Sequence, residues 1–450
     1  MKKIRSRGLF TILLALVVVA GLCLFIRDEY VSGRKWAMFF SGFDASAEGE
    51  LLDRNGKMLA SFNRNGKGYS PDVNTRIANY HVTGDYAGMT GCGALTRFWN
   101  SAESYDYING TKGGHRGSMR ISVDADVNSF AWKLLVKNGQ EGETGRGAVM
   151  IMNYRTGEVL ALVSSPSVDP SNSSYVIEDG AYFNRALRGT YTPGSTFKLV
   201  TAAAAIENLP ALEEMTFTCG GEYDIAGVKI TCDGVHGTQT FAEALANSCN
   251  CAFAQVTVKL GQNTMVKYVQ DLGFLSPHSL DGMEGATGNY PLEFVGDPEL
   301  AWSGIGQSID QVCPYTMLRY VAAIANDGVL IEPTYLLQGE NALPSAASPA
   351  AGTPKSTAML CPDTAKKLQE LMRNNVATHY EGDTRFPGLA LCAKTGTAET
   401  GNDTSHSWFT GFLQDEAHPY AFVAVVEEGG YGLWTAGLMM NEILQYMVKK

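Results

Sequence analysis

A chain of 450 residues exceeds what one hydrophobic core usually supports, so two folded units are expected besides any targeting segment. With 35 Lys plus Arg against 46 Asp plus Glu, the formal net charge is −11 and no basic stripe is present, which argues against a nucleic-acid partner. The 49 glycines and 10% aromatic residues are an ordinary globular composition with material for a large core.

The 18 residues from Leu9 to Ile26 carry no charge, close to the roughly 20 that span a bilayer as a helix. Lys2, Lys3, Arg5 and Arg7 precede them, so the positive-inside rule keeps the N-terminus cytoplasmic and sends the remainder outward. A cleaved signal peptide is the competing reading, but "GLCLFIRDEYVSG" offers no clear small-x-small site, and an uncleaved anchor is favoured. Next comes "GELLDRNGKMLASFNRNGKGYSPD", an apolar–polar alternation with Asn55-Gly56 at its middle, the signature of a hairpin. The Gly-rich stretch through Met119 reads as a small β-rich module. The expected organisation is therefore a tail and anchor over 1–28, this module over 29–118 and a main domain over 119–450.

The main domain opens with a strand and a helix in "RISVDADVNSFAWKLLVKNG", followed by a hairpin around Tyr154 to Gly157. An alanine-rich helix from Thr196 to about Glu207 is apolar nearly all round and belongs in the middle of a large domain. "TFAEALANSCNCAFAQVTVKLG" reads as two helices broken at Asn247 to Asn250, and "PYTMLRYVAAIANDG" as another helix ending at a Gly cap. "QGENALPSAASPAAGTPKST" is a loop with no packing signal. "ALCAKTGTAE", "SWFTGFL" and "YAFVAVVEE" have the content of strands, and "LWTAGLMMNEILQYMVKK" that of a closing helix. The fold class is α+β, with an antiparallel sheet of about five strands.

Nine cysteines are present, eight of them beyond Cys23 and therefore in an exported region where disulfides can form. Cys219 and Cys232 bracket a short hairpin, and a bridge between them is favoured over two free thiols. Cys249, Cys251, Cys313 and Cys392 sit in apolar segments and read as buried small hydrophobes. Neither the cysteines nor the seven histidines show zinc spacing, so no metal is expected.

Three polar clusters carry chemistry: "STFK" (Ser195 to Lys198), "SCN" (Ser248 to Asn250) and "KTGT" (Lys394 to Thr397). Each alone has a bland explanation: a helix cap with a solvated lysine, an interhelix turn, a strand end. Yet Lys198 stands where a capping box wants Glu, near the positive end of a helix dipole, a placement that costs roughly 0.3–1 kcal/mol. Acyl transfer through a serine supplies a reason. The i to i+3 spacing puts Lys198 beside Ser195, and a lysine whose amine is kept neutral by burial and by a second cation, Lys394, can take the serine proton. Ser248 can relay a proton to the leaving amine, and Asn250 can hold Lys198 or a substrate amide. Gly396 leaves room for a substrate backbone along the strand. The N–H groups of Ser195 and Thr397 can converge on an oxyanion, while Lys394, Thr395 and Thr397 face a substrate carboxylate. Together and in this order the three clusters form the set associated with penicillin-binding proteins and related lactamases.

On these motifs, and on "LLDRNGKMLA", "NYRTGEVLALVSSPSVDP", "FNRALRGTYTPGSTFK", "WSGIGQSIDQVCPYTMLRYVAAIANDG" and "AKTGTAETGNDTSHSWFTGF", the chain resembles the class B penicillin-binding proteins, monofunctional D,D-transpeptidases of bacterial cell walls. The resemblance runs over most of Val123 to Glu428 and implies the serine β-lactamase/penicillin-binding transpeptidase fold with a helical subdomain. It implies Ser195 as acylated nucleophile, Lys198 as base, Ser248 and Asn250 as second motif, and Lys394, Thr395, Gly396 and Thr397 as third. The implied donor is a peptidoglycan stem ending in D-Ala-D-Ala, with β-lactams as inhibitors and no cofactor. It further implies a single-pass cell-membrane protein with its catalytic domain outside. The module from Tyr30 to Met119 is short for the family, whose larger members dock on a membrane glycan polymerase of the SEDS (shape, elongation, division and sporulation) kind. Two alternatives are a membrane-anchored serine β-lactamase and a non-catalytic β-lactam-binding sensor or scaffold.

Overall fold

Alternation of side chains along one strand shows how the main domain is layered. In the strand Gly147–Asn153, Ala148, Met150 and Met152 enter one core while Val149 and Ile151 enter another on the opposite face. A strand buried on both faces must lie inside a sheet covered on both sides. The sheet is the expected antiparallel one of five strands, in the spatial order Leu391–Glu399, Ser405–Leu413, Tyr420–Val426, Gly147–Asn153, Val159–Ser165. The helices Ala125–Lys137 and Leu438–Val448 pack on one face and Pro314–Ala325 on the other. The larger core continues from the second face into the helices Lys198–Asn208 and Asn250–Leu260. The computed structural model describes residues 8, 11–27, 49–63, 66–96, 105–106, 110–111, 117–138, 145–291, 293–294, 296–335, 337, 355–401 and 404–450.

Both anticipated hairpins form for the expected reason. Asn55 and Gly56 turn the chain with Gly56 at φ +84°, and the Asp53 carboxylate accepts the N–H groups of Asn55 (2.8 Å) and Lys57 (2.7 Å). Gly157 closes the second turn at φ +81°. The front module holds a four-stranded sheet in the order Gly66–Tyr69, Met58–Asn63, Gly49–Leu52, Gly117–Arg120, the last strand pairing in parallel. It also contains the helix Val73–Ala78, which the β-rich expectation had omitted. Arg76 ties this module to the main domain through two 2.8 Å bonds to the Asp169 carboxylate.

Residues 11–27 are helical, with Ile12, Leu16, Val19, Leu22 and Phe25 among the exposed side chains. Among the described residues no helix is long and apolar enough to cross a membrane. The loop expected around 338–357 lies mostly outside the described residues; at its end Ser356–Ala358 pairs as a strand with Val329–Ile331.

Candidate active site

The site forms where the edge strand Leu391–Glu399 meets the start of the alanine-rich helix. That helix begins later than its composition suggests: Gly194–Thr196 is a 3₁₀ turn and the α-helix runs Lys198–Asn208. Ser195 therefore does not cap it, and its hydroxyl instead faces Lys198 Nζ at 2.9 Å. The turn is gripped by backbone on both sides. A Cβ on Gly194 (φ +53°) would lie 2.7 Å from the Thr397 carbonyl, and one on Gly306 (φ +77°) only 2.2 Å from the Gly194 carbonyl. Gly194 N–H also donates to the Gly306 carbonyl at 2.9 Å. Gly396 belongs to the same contact, since a Cβ there would meet the Pro193 carbonyl at 2.8 Å. Its missing Cβ thus makes room for the turn that carries Ser195.

Lys198 is fully buried and surrounded by four oxygens. Its Nζ lies 2.5 Å from the Ser248 carbonyl, 2.7 Å from Asn250 Oδ1, 2.9 Å from Ser195 Oγ and 3.3 Å from Ser248 Oγ. The first two can only accept, because Asn250 spends its NH₂ on the Thr231 carbonyl at 2.9 Å. A neutral amine satisfies this arrangement with its two N–H bonds to those acceptors and its lone pair toward a serine hydroxyl. Burial pushes Lys198 down from 10.5 to about 8, with Cys232, Cys249 and Asp233 pulling the other way. Phe253 walls the amine, its ring centroid 5.7 Å from Nζ.

Lys394 is also fully buried, and its Nζ donates to Ser248 Oγ at 2.9 Å and to the Thr395 carbonyl at 3.1 Å. Burial, and after it the charge of Lys198, holds Lys394 well below the usual lysine range. The charge effect between the two lysines is seen at Lys394, whereas at Lys198 burial alone lowers the amine. Ser248 joins the two amines, and its backbone sits at φ +52°, a left-handed conformation unfavourable for a non-glycine residue by about 1–2 kcal/mol.

Lys394 and Thr395 point to opposite faces of the strand, as the pleat requires, so the three side chains assigned to one carboxylate do not converge from a single face. Thr395 is held by Tyr380, whose OH lies 3.1 Å from Thr395 Oγ1 and accepts the Thr395 N–H at 3.1 Å. That bond shows which backbone groups face outward from the sheet edge. Thr397, two residues on, presents its N–H on the same outer side, where Gln307 Nε2 reaches its carbonyl at 3.5 Å. Thr397 Oγ1 accepts the Gly432 N–H at 3.2 Å, which leaves its own hydroxyl proton free to donate. Tyr380 and Gln307 were missed in the sequence, and no periodicity or spacing singles out either.

A second group of residues braces the approach to Ser195. Glu427 takes the Arg185 Nε and the Tyr191 hydroxyl on one oxygen, each at 2.8 Å, and Arg146 Nε on the other at 3.3 Å. Trp408 Nε1 donates to the Thr192 carbonyl at 3.0 Å.

All nine cysteines are free, so the bridge expected between Cys219 and Cys232 is not formed. Cys219 Sγ instead donates to the Gly234 carbonyl at 3.4 Å. Cys232 Sγ turns toward His236 Nδ1 at 3.6 Å and Cys249 Sγ at 3.9 Å. Cys249, read as a buried hydrophobe, lies inside the SCN motif and its sulfur accepts the Ala252 N–H at 3.4 Å.

A family profile described as the penicillin binding protein transpeptidase domain matches residues 147–445. The chain is similar to Stage V sporulation protein D of Bacillus subtilis, 30% identical over 292 residues, 63% of this chain and 45% of that protein. It is likewise similar to peptidoglycan D,D-transpeptidase PbpA of Mycobacterium tuberculosis, 30% identical over 353 residues, 71% of this chain and 69% of that protein. It thus spans under half of the first relative and about two thirds of the second. The solved structure of penicillin-binding protein A from M. tuberculosis as a ceftriaxone acyl-enzyme shares the fold. Its TM-score is 0.75 and its identity 24%, over 89% of this chain and 98% of that one.

Proposed function

The chain belongs to the penicillin-binding protein transpeptidase family, and from that premise we propose that it is a peptidoglycan D,D-transpeptidase working through a Ser195 acyl-enzyme. The observation that carries this reading is the buried Lys198 amine, 2.9 Å from Ser195 Oγ, with two acceptors occupying its N–H bonds. The neutral amine takes the hydroxyl proton as Ser195 Oγ attacks the carbonyl of the penultimate D-Ala of a stem peptide. The negative charge that develops on that oxygen is met by the outward N–H of Thr397 and the N–H of Ser195. Ser248, between the two lysines, passes the proton to the departing D-Ala nitrogen, and the C–N bond breaks. An amine of a neighbouring stem then attacks the ester, returns its proton along the same path and frees Ser195. The Thr397 hydroxyl, oriented by the Gly432 N–H, binds the terminal carboxylate, and Lys394 holds Ser248 through its N–H bond. β-Lactams acylate the same serine because their ring amide occupies the position of that peptide bond.

The remaining organisation belongs to the same proposal. Residues 1–28 form tail and anchor, 29–118 the front module and 119–450 the catalytic domain on the outer side of the membrane. The unbroken apolar run from Leu9 to Ile26 after four basic residues supports the anchor. Full-length chain should sediment with membranes and lose that behaviour when residues 1–28 are removed. A SEDS-type glycan polymerase is the partner proposed for the front module, and co-purification with it tests that assignment.

The test of the activity is to supply lipid-linked glycan strands bearing pentapeptide stems and follow products. Cross-linked dimers with one D-Ala released per link are expected, together with a long-lived adduct when penicillin is added. Multiple turnover of penicillin with no cross-linking would instead identify a β-lactamase, and neither reaction would leave a binding protein.

A further inference from the structure

Cys219, Cys232, His236 and Cys249 point one ligand atom each into a common space, and these four atoms all lie within 4.8 Å of one another. They come from different elements: the end of the strand Thr216–Cys219, the loop after Val228–Thr231, and the residue that opens the helix Asn250–Leu260. The separations from Cys232 Sγ to its two neighbours suit a metal better than a covalent bridge. Tetrahedral Zn²⁺ with Zn–S near 2.3 Å and Zn–N near 2.0–2.1 Å sets S···S edges of about 3.8 Å and S···N edges of about 3.5 Å. Cys232 Sγ stands 3.9 Å from Cys249 Sγ and 3.6 Å from His236 Nδ1. A disulfide requires about 2.05 Å.

The surroundings also suit thiolates. Asn250 N–H donates to Cys232 Sγ at 3.3 Å and Ala252 N–H to Cys249 Sγ at 3.4 Å, bonds that stabilise sulfur as an anion. Cys219 and Cys249 are buried, whereas Cys232 and His236 are half-buried, which leaves one side open for an ion to enter.

We propose that this cluster binds one zinc ion through three thiolates and the Nδ1 of His236, and that the ion positions the SCN motif. Zn²⁺ displaces the three thiol protons and leaves a site of net charge −1. It joins the hairpin Glu222–Thr231 region to Cys249, which is flanked by Ser248 and Asn250, both in contact with Lys198. Ser248 holds an unfavourable backbone conformation, and a Cys249 fixed next to it helps such a conformation to persist. The ligands follow C-x12-C-x3-H-x12-C, a spacing with no Cys-x-x-Cys pair, so the expectation of no metal rested on chain spacing that the fold overrides. The positioning role rests on the transpeptidase reading, whereas metal content does not, so the two can fail separately.

The experiment uses the full chain, purified in detergent under reducing conditions without chelator, and then Cys232→Ser and His236→Ala. Elemental analysis should find about one zinc per wild-type chain, and Co²⁺ exchange should give the visible bands of a tetrahedral cobalt thiolate. Both signals should fall in Cys232→Ser. Chelation should lower the thermal midpoint and slow penicillin acylation by on the order of tenfold, restored by Zn²⁺. Should zinc-loaded wild type retain less than a tenth of an equivalent, the site does not exist. Peptide mapping that found two of these cysteines oxidised to a disulfide, or equal zinc in Cys232→Ser, would overturn it as well. Acylation unchanged by removal of the metal would contradict the positioning role.

Discussion

The two serines of the site are held in opposite ways. Ser195 rides on a turn clamped by main chain, where Gly194, Gly306 and Gly396 allow carbonyls of neighbouring segments to approach within what would be Cβ contact. Ser248 sits on a connection between two helices, with a left-handed backbone, and is fixed by polar contacts to Lys198 and Lys394 and by the sulfur groups beside it. In the proposed role of nucleophile Ser195 must not move as the acyl group forms, and steric contact resists displacement steeply. A proton relay must change partners during the reaction, which hydrogen bonds allow. Mutations should therefore act differently on the two: through packing at Ser195, through charge and protonation at Ser248.

The largest effect among these should follow from removing the base. Lys198→Ala is expected to lower the penicillin acylation rate by on the order of 10²–10⁴ with the fold retained, measured by stopped-flow. Because removing the lysine also empties the space between the serines, near-normal acylation would show that Ser195 is activated by another group. Gly396→Ala tests the clamp. Its Cβ would enter the Pro193 carbonyl at 2.8 Å, so both stability and acylation should fall, by about 1–3 kcal/mol in denaturant unfolding. A variant that unfolds normally and acylates normally would mean that the turn has slack.

Acylation should also report the protonation of Lys198. Only the neutral amine is a base, and with the group near 8 its neutral fraction rises about fivefold from pH 7 to pH 8. The acylation rate should rise through that interval and level off above it. The corresponding stability sign is fixed: the unfolded lysine, near 10.5, binds more protons than the folded one between about pH 8 and 10.5, so this group raises stability with pH there. A rate that is flat from pH 6 to 9 would contradict the assignment. The smallest effect is expected at Tyr380→Phe, which removes two hydrogen bonds to Thr395 and should cost about 1–3 kcal/mol in stability with under tenfold loss in acylation.

Much of this was readable in the chain because local chemistry and fold agree. Asn55-Gly56 and Tyr154 to Gly157 made the hairpins they advertise, and the apolar strands built the expected antiparallel sheet of five. The SxxK, SxN and KTG residues do assemble around Ser248 and Lys198. What the chain concealed depends on long-range approach. The helix starts at Lys198 because Ser195 is occupied in a 3₁₀ turn pressed against the edge strand, which propensity cannot reveal. That Gly396 also accommodates the Pro193 carbonyl could not be read from the chain, because the two are distant in sequence. Tyr380 and Gln307 act through single hydrogen bonds to the strand edge. The sulfur cluster was invisible for the same reason, its four ligands gathering only after the hairpin folds back on Cys249.

The central claim, that Ser195 is the acylated nucleophile, is tested most directly by intact mass after incubation with penicillin. Wild-type protein should gain the mass of one penicillin and Ser195→Ala none. An adduct of equal mass persisting in Ser195→Ala would place the nucleophile elsewhere and contradict the account.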